Sequence, residues 1–173
     1  MTAALSETGA CAPMIGGEID HLGIAVPDLA AATAFYRDVL GMAEVGHKLL
    51  EADGLAVTFM LAPTPGLSVE LISPLPGSRP LSDLLGDHTT QAFLRAQPQG
   101  GLHHICFRTH DFVTAKRSLE AAGVVPLGNG KGAVGAAGKP IMFFAPSQPS
   151  GVLIELKEVA QPSAAAHDAT SRA

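Results

Sequence analysis

Two stretches of the chain repeat one pattern of hydrophobic and polar positions. Residues 19–29 (IDHLGIAVPDL) align without a gap on residues 102–112 (LHHICFRTHDF), so His21 falls on His104 and Asp28 on Asp111. Side chains along a strand alternate between faces. That parity puts His21, Gly23 and Ala25 on one face of the first copy, opposite Leu22, Ile24 and Val26. In the second copy His104, Cys106 and Arg108 share a face, opposite Ile105 and Phe107. The bulky face suits packing on a helix, and a helix is predicted directly afterwards. Pro27 ends the strand, Asp28 is an N-cap, and Leu29, Ala32, Phe35, Tyr36 and Val39 return at helical spacing until Gly41. The second copy runs likewise from Asp111 through Ala122 to Gly123. Further apolar runs predict strands over 43–50, 55–62 and 67–73 in the first half, and over 124–127, 141–144 and 152–157 in the second. Gly54 and the Pro-Thr-Pro-Gly segment at 63–66 are the turns in the first half.

Each half therefore reads as βαβββ. One helix cannot cover both faces of four strands, so the halves are expected to pack together as one α+β domain over 18–158, built of modules 18–75 and 101–158. The linker 76–100 carries Leu81, Leu84, Leu85, Phe93 and Leu94 with Gly86 as a break, which predicts one or two short helices. These would form either a wall over a site or a surface connection. The small and polar segments 1–17 and 159–173 are expected to be disordered.

Composition narrows the class. The 173 residues are 47% hydrophobic, ordinary for a domain with a real core. A formal charge of −5 without any basic run argues against nucleic acid, and an anionic ligand would need a local basic patch. The two cysteines, Cys11 and Cys106, are far apart with no CxxC spacing, so no disulfide framework is expected. No apolar run is long enough to span a bilayer, and residues 1–16 lack the features of a secretory signal. The expectation is a cytoplasmic protein.

Candidate chemistry comes from the repeat. Each copy ends in an apolar strand that carries one acid, Glu70 in VELI and Glu155 in IEL. Taken singly, either acid reads as a solvent-facing strand position, and either histidine reads equally well as a hydrogen-bonded core residue. Taken together, one His and one Glu recur in both halves, and small residues flank both histidines. That pattern favours one divalent metal held by His21, Glu70, His104 and Glu155. Imidazole plus carboxylate without thiolate suits Zn, Ni, Co, Mn or Fe. Parity turns His103 away from His104, while His47, His88, His110 and His167 lack a repeat partner and are read as surface residues.

The segments IDHLGIAVPD (19–28), FYRDVLG (35–41), GLHHI (101–105), GAAGKP (135–140) and GVLIEL (151–156) together resemble the vicinal oxygen chelate (glyoxalase/bleomycin resistance) superfamily. The last three are most similar to its methylmalonyl-CoA epimerase branch. The resemblance implies a curved, mostly antiparallel sheet around a metal cavity, with His21, Glu70, His104 and Glu155 as ligands. It implies epimerisation of a 2-methyl-branched acyl-CoA by 1,1-proton transfer through an enolate, with Glu155 as a candidate base, and a homodimer. The alternative within the superfamily is a glyoxalase I-type lactoylglutathione lyase acting on a glutathione thiohemiacetal. Lys131, Gly135, Gly138 and Lys139 form a glycine-rich loop. On residues alone it is an ordinary mobile loop; the resemblance suggests a cradle for CoA phosphate. The chain departs from the branch in two places. A glutamate that bacterial epimerases often carry is replaced by Val57 or Thr58, and a His-Pro-Lys sequence is replaced by Ala145-Pro146-Ser147. Neither Val57 nor Thr58 can serve as a carboxylate base.

Overall fold

Strands β1 (Ile19–Ala25) and β5 (Gly101–Thr109) pair antiparallel, and this seam joins the two halves of the chain. The computed structural model describes residues 18–77, 85–128, 130, 132–145 and 151–160. The first half adds helix α1 (Leu29–Ala34), β2 (Ala43–Leu50), β3 (Leu55–Leu61) and β4 (Ser68–Pro74). Helix α2 (Thr90–Ala96) precedes β5. The second half adds α3 (Phe112–Ala121), β6 (Ala133–Val134), β7 (Pro140–Phe144) and β8 (Leu153–Glu158). The eight strands form one curled sheet in the order β2-β3-β4-β1-β5-β8-β7-β6. Only β1 with β4 and β5 with β8 run parallel. The four central strands are thus the first and last strands of each half.

The bulky parity face packs on the helices as expected. Val69, Leu71 and Met60 bury against Leu29, Ala32 and Tyr36 of the first half. Met142, Phe144 and Leu156 bury against Ala115 and Leu119 of α3. Both helices start on the predicted caps. Asp28 accepts from the Ala31 amide and Asp111 from the Thr114 amide, each at 2.9 Å, a contact typically worth about 1 kcal/mol. The opposite face of the sheet is concave. There Ala25, Val57 and Ile72 meet Phe93 and Leu94 of α2.

Three local expectations are corrected. The first helix does not continue regularly: residues Phe35–Val39 form a wide turn in which the Leu40 amide reaches the Phe35 carbonyl. The extra residue in that turn rotates the apolar stripe off the core, leaving Phe35 and Val39 exposed while Tyr36 packs inward. No strand forms over 124–127. Pro126 makes a single bridge to Phe144, and a proline has no N–H with which to extend a ladder. A two-residue strand, β6, forms instead inside the predicted glycine-rich loop. In the linker, α2 and a tight turn at Gly86–His88 supply two short elements, while Leu81 and Leu84 lie outside the described residues.

Candidate metal centre

The four predicted ligands stand on the four central strands, one each on β4, β1, β5 and β8, and all are buried. The registers explain how they meet. Gly23 pairs with Glu70 on one side and His104 on the other, and its repeat counterpart Cys106 pairs with His21 and Glu155. Each imidazole therefore leans over the small residue of the other half. Space at Gly23 is absolute: a Cβ there would sit 2.0 Å from Cε1 of His104.

The donor atoms converge. His21 Nε2 lies 3.3 Å from His104 Nε2, 3.2 Å from Glu70 Oε2 and 3.6 Å from Glu155 Oε2. His104 Nε2 lies 3.6 Å from Glu70 Oε2 and 3.1 Å from Glu155 Oε2. Donors bound to one ion at about 2.0–2.2 Å stand roughly 3–3.6 Å apart. The cluster has that spacing, and its two nitrogens and two carboxylates could hold one divalent cation.

Electrostatics agree with the fit. Burial pushes the Glu70 carboxyl up, but the adjoining His104 and His21 rings prevail and hold it at about 2. Glu155 is lowered for the same reason. Burial disfavours charge on His104, yet Glu155 and Glu70 raise it; His21 is raised against burial by Asp20, Cys106, Glu155 and Glu70. Two buried carboxylates thus demand two compensating positive charges. A divalent ion with neutral imidazoles supplies the same charge.

The outer nitrogens of both imidazoles are held. His21 Nδ1 donates to Asp20 Oδ1 at 2.8 Å. Asp20 is fixed in turn by Lys157 Nζ at 2.7 Å and Arg108 Nε at 2.8 Å; burial pushes its carboxyl up, but the His21 hydrogen bond and these two cations prevail and keep it low. His104 Nδ1 lies 3.0 Å from His103 Nδ1, and His103 Nε2 donates to the His88 carbonyl at 3.0 Å. Burial, and the charge on His104, lower His103 to about 4, so its ring is neutral near neutral pH.

His103 is a correction to the parity reading, which turned it away. The β1–β5 ladder contains two irregularities: between Ile19 and His21 the partner moves only from Phe107 to Cys106, and between Gly23 and Ile24 it moves from His104 to Leu102. Asp20 and His103 are therefore bulged residues. A bulge places two successive side chains on one side of a strand. Both bulged residues occupy the same place in the repeat, immediately before a candidate ligand histidine, and sequence reasoning assigned neither to the site. The available signal was a pair of consecutive polar residues, Asp-His and His-His, where an alternating strand should place one of them in the core.

Two pockets open on the cluster. One, of about 110 Å³, is bounded by Glu70, Glu155 and His104 at its floor and by apolar walls that include Val57, Ile72 and Phe143. Thr90 at its edge holds a buried hydroxyl with no hydrogen-bond partner among the described residues. The other, of about 220 Å³, is flanked by Lys139, Lys157 and Ala136. Of the two candidate replacements for the branch glutamate, Val57 lines the first pocket, whereas Thr58 bonds to His47 at 3.1 Å. The glycine-rich loop is a hairpin turn. The Gly135 amide donates to the Lys139 carbonyl and the Gly138 amide to the Gly135 carbonyl, so these two amides are engaged within the loop. Lys131 lies outside the described residues.

Residues 20–143 match the family model described as glyoxalase/bleomycin resistance protein/dioxygenase superfamily. The chain belongs to this superfamily. Among its relatives, an ethylmalonyl-CoA/methylmalonyl-CoA epimerase from Cereibacter sphaeroides is 41% identical over 143 residues, covering 83% of this chain and 98% of the relative. The crystal structure of methylmalonyl-CoA epimerase from Mycobacterium tuberculosis superposes with a TM-score of 0.69 at 28% identity, covering 90% of this chain and 95% of that one. A methylmalonyl-CoA epimerase in complex with methylmalonyl-CoA and NH4+ gives 0.66 at 28% identity, covering 83% and 94%. The curled eight-stranded sheet is the superfamily fold. Among the described residues no helix is long and apolar enough to cross a membrane.

Proposed function

We propose that this protein interconverts the C2 epimers of a 2-methyl-branched acyl-CoA such as methylmalonyl-CoA, with His21, Glu70, His104 and Glu155 holding one divalent metal. The observation that carries the reading is the convergence of these four buried donors, three of them at the floor of an apolar pocket, in a chain 41% identical to an acyl-CoA epimerase. A divalent ion supplies Lewis acidity, which makes a C–H beside a thioester carbonyl acidic enough to lose. The chain does the rest. Val57, Ile72 and Phe143 give the branched acyl group an apolar seat and exclude water from it. Glu155 is assigned the C2 proton: its carboxyl is ionised and it borders both pockets. Val57 contributes shape and no proton. With the loop amides engaged, Lys139 is the group assigned to CoA phosphate, as a local positive charge on a chain of net −5.

Deuterium wash-in at C2 of methylmalonyl-CoA in heavy water, measured beside bound metal, tests this. Wild-type protein is expected to carry about one metal per chain and to exchange the C2 proton. His21→Ala should lose both, and Glu155→Gln should lose at least about 100-fold in exchange. A metal-loaded wild type that exchanges nothing sinks the epimerase reading and makes turnover of a glutathione thiohemiacetal the next measurement.

A further inference from the structure

Among the described residues one buried imidazole lies outside the ligand set: His103, which also borders the apolar pocket. It is a bulged residue on β5, 5% exposed, with its edge toward Phe93 at 5.4 Å between ring centroids. We propose that His103 is a positioning residue that sets the tautomer and orientation of His104, so that Nε2 of His104 faces the cation without a proton. The proposal rests on the metal-centre reading above.

With His103 neutral, the hydrogen-bond geometry leaves one arrangement. The His88 carbonyl can only accept, so the proton in the 3.0 Å contact belongs to His103 Nε2. A neutral imidazole with its proton on Nε2 offers a bare Nδ1. His104 Nδ1, 3.0 Å away, must therefore be the donor. A neutral His104 with its proton on Nδ1 carries its lone pair on Nε2, the atom 3.1 Å from Glu155 Oε2 and 3.3 Å from His21 Nε2. The donor chain runs from His104 through His103 and ends at the carbonyl of the Gly86–His88 turn, so the linker between the halves reaches the centre through one ring. The bulge is what permits this. In an unbroken ladder His103 would face the convex side and His104 Nδ1 would have no partner there. Ligand histidines elsewhere generally need an acceptor at the second nitrogen, and its loss weakens metal binding 10–100-fold.

The test is the affinity of the full-length, metal-free protein for Co²⁺, read by competition with a chelator and by the visible Co²⁺ spectrum. His103→Leu keeps bulk but accepts nothing; His103→Asn places an amide oxygen near the position of Nδ1. The leucine variant is expected to bind about 10–100-fold more weakly with an altered spectrum, and the asparagine variant to return to within about threefold of wild type. Should the leucine protein fail to fold, judged by thermal melting, His103→Met takes its place. Leucine binding like wild type, or asparagine binding as weakly as leucine, overturns the positioning role alone. A wild type that takes up no Co²⁺, and no other divalent ion, overturns the metal centre and the proposal with it.

Discussion

The two histidine arms of the cluster occupy equivalent places in the repeat and are supported by unlike partners. His21 leans on a carboxylate, Asp20, that is clamped by Arg108 and Lys157. His104 leans on a neutral ring, His103, that is clamped by a backbone carbonyl. Beneath them the small residues differ as well: Gly23 lies under His104 and Cys106 beside His21. The duplicated halves agree where a single cation would dictate the answer, in the donor atoms and their spacing. They differ where the requirement is looser, since any well-held acceptor at Nδ1 suffices. An anionic acceptor makes His21 the stronger electron donor, while the neutral acceptor leaves His104 the weaker one.

The two arms differ most at the small residues beside their rings. Gly23→Ala puts a methyl onto the His104 ring and displaces it, with an expected loss of about 100-fold in Co²⁺ affinity and roughly 1–3 kcal/mol in stability. The mirror change, Cys106→Ala, only removes a thiol and should stay within a few-fold of wild type. Equal losses from the two substitutions would mean that the arms are interchangeable. Asp20→Asn is a gentler probe. The amide oxygen can still accept from His21, but the charge is gone and Arg108 and Lys157 face a neutral group; affinity should fall about tenfold, chiefly through His21. An unchanged affinity would show that the charge on Asp20 serves the fold and not the ligand.

Acid should separate the arms by the smallest margin. His103 titrates at about 4 in the folded protein against 6.5 for the free side chain. A depressed value means that its contribution to stability is present above pH 6.5 and is lost as pH falls toward 4, because the unfolded chain takes up the proton first. In the metal-free protein, moving from pH 6.5 to 5.5 should remove about 1 kcal/mol through this group, or roughly 3 °C of Tm. His103→Asn lacks that loss, so the melting difference between it and wild type should close by this amount over the same interval. Parallel melting curves at both pH values would contradict a neutral, buried His103.

Much of this architecture was legible as pattern. The βαβββ repeat, both helix caps and the four converging donors follow from periodicity and from the recurrence of His with Glu. The errors share one cause, the assumption of unbroken regularity. A wide turn in the first helix rotated Val39 outward, Pro126 stopped a strand, and two bulges reversed the side on which Asp20 and His103 lie. Pro126 lacks the N–H that a ladder needs, whereas the turn and the two bulges are each a shift of one residue in hydrogen-bond register, and a shift of that size leaves composition and hydrophobicity nearly unchanged.

Residue chemistry and strand period were enough to show which atoms could bind a cation and on which face of each strand His21 and His104 lie, because both are local properties. Whether Gly23 or Cys106 would sit under a given ring, whether Val57 or Thr58 would wall the apolar pocket, and what would hold each outer nitrogen came from the tertiary structure. Those outcomes depend on strand register across the β1–β5 seam, which is a relation between residues some 80 positions apart. That relation is set by how two curved half-sheets fit together, and neither half contains it alone.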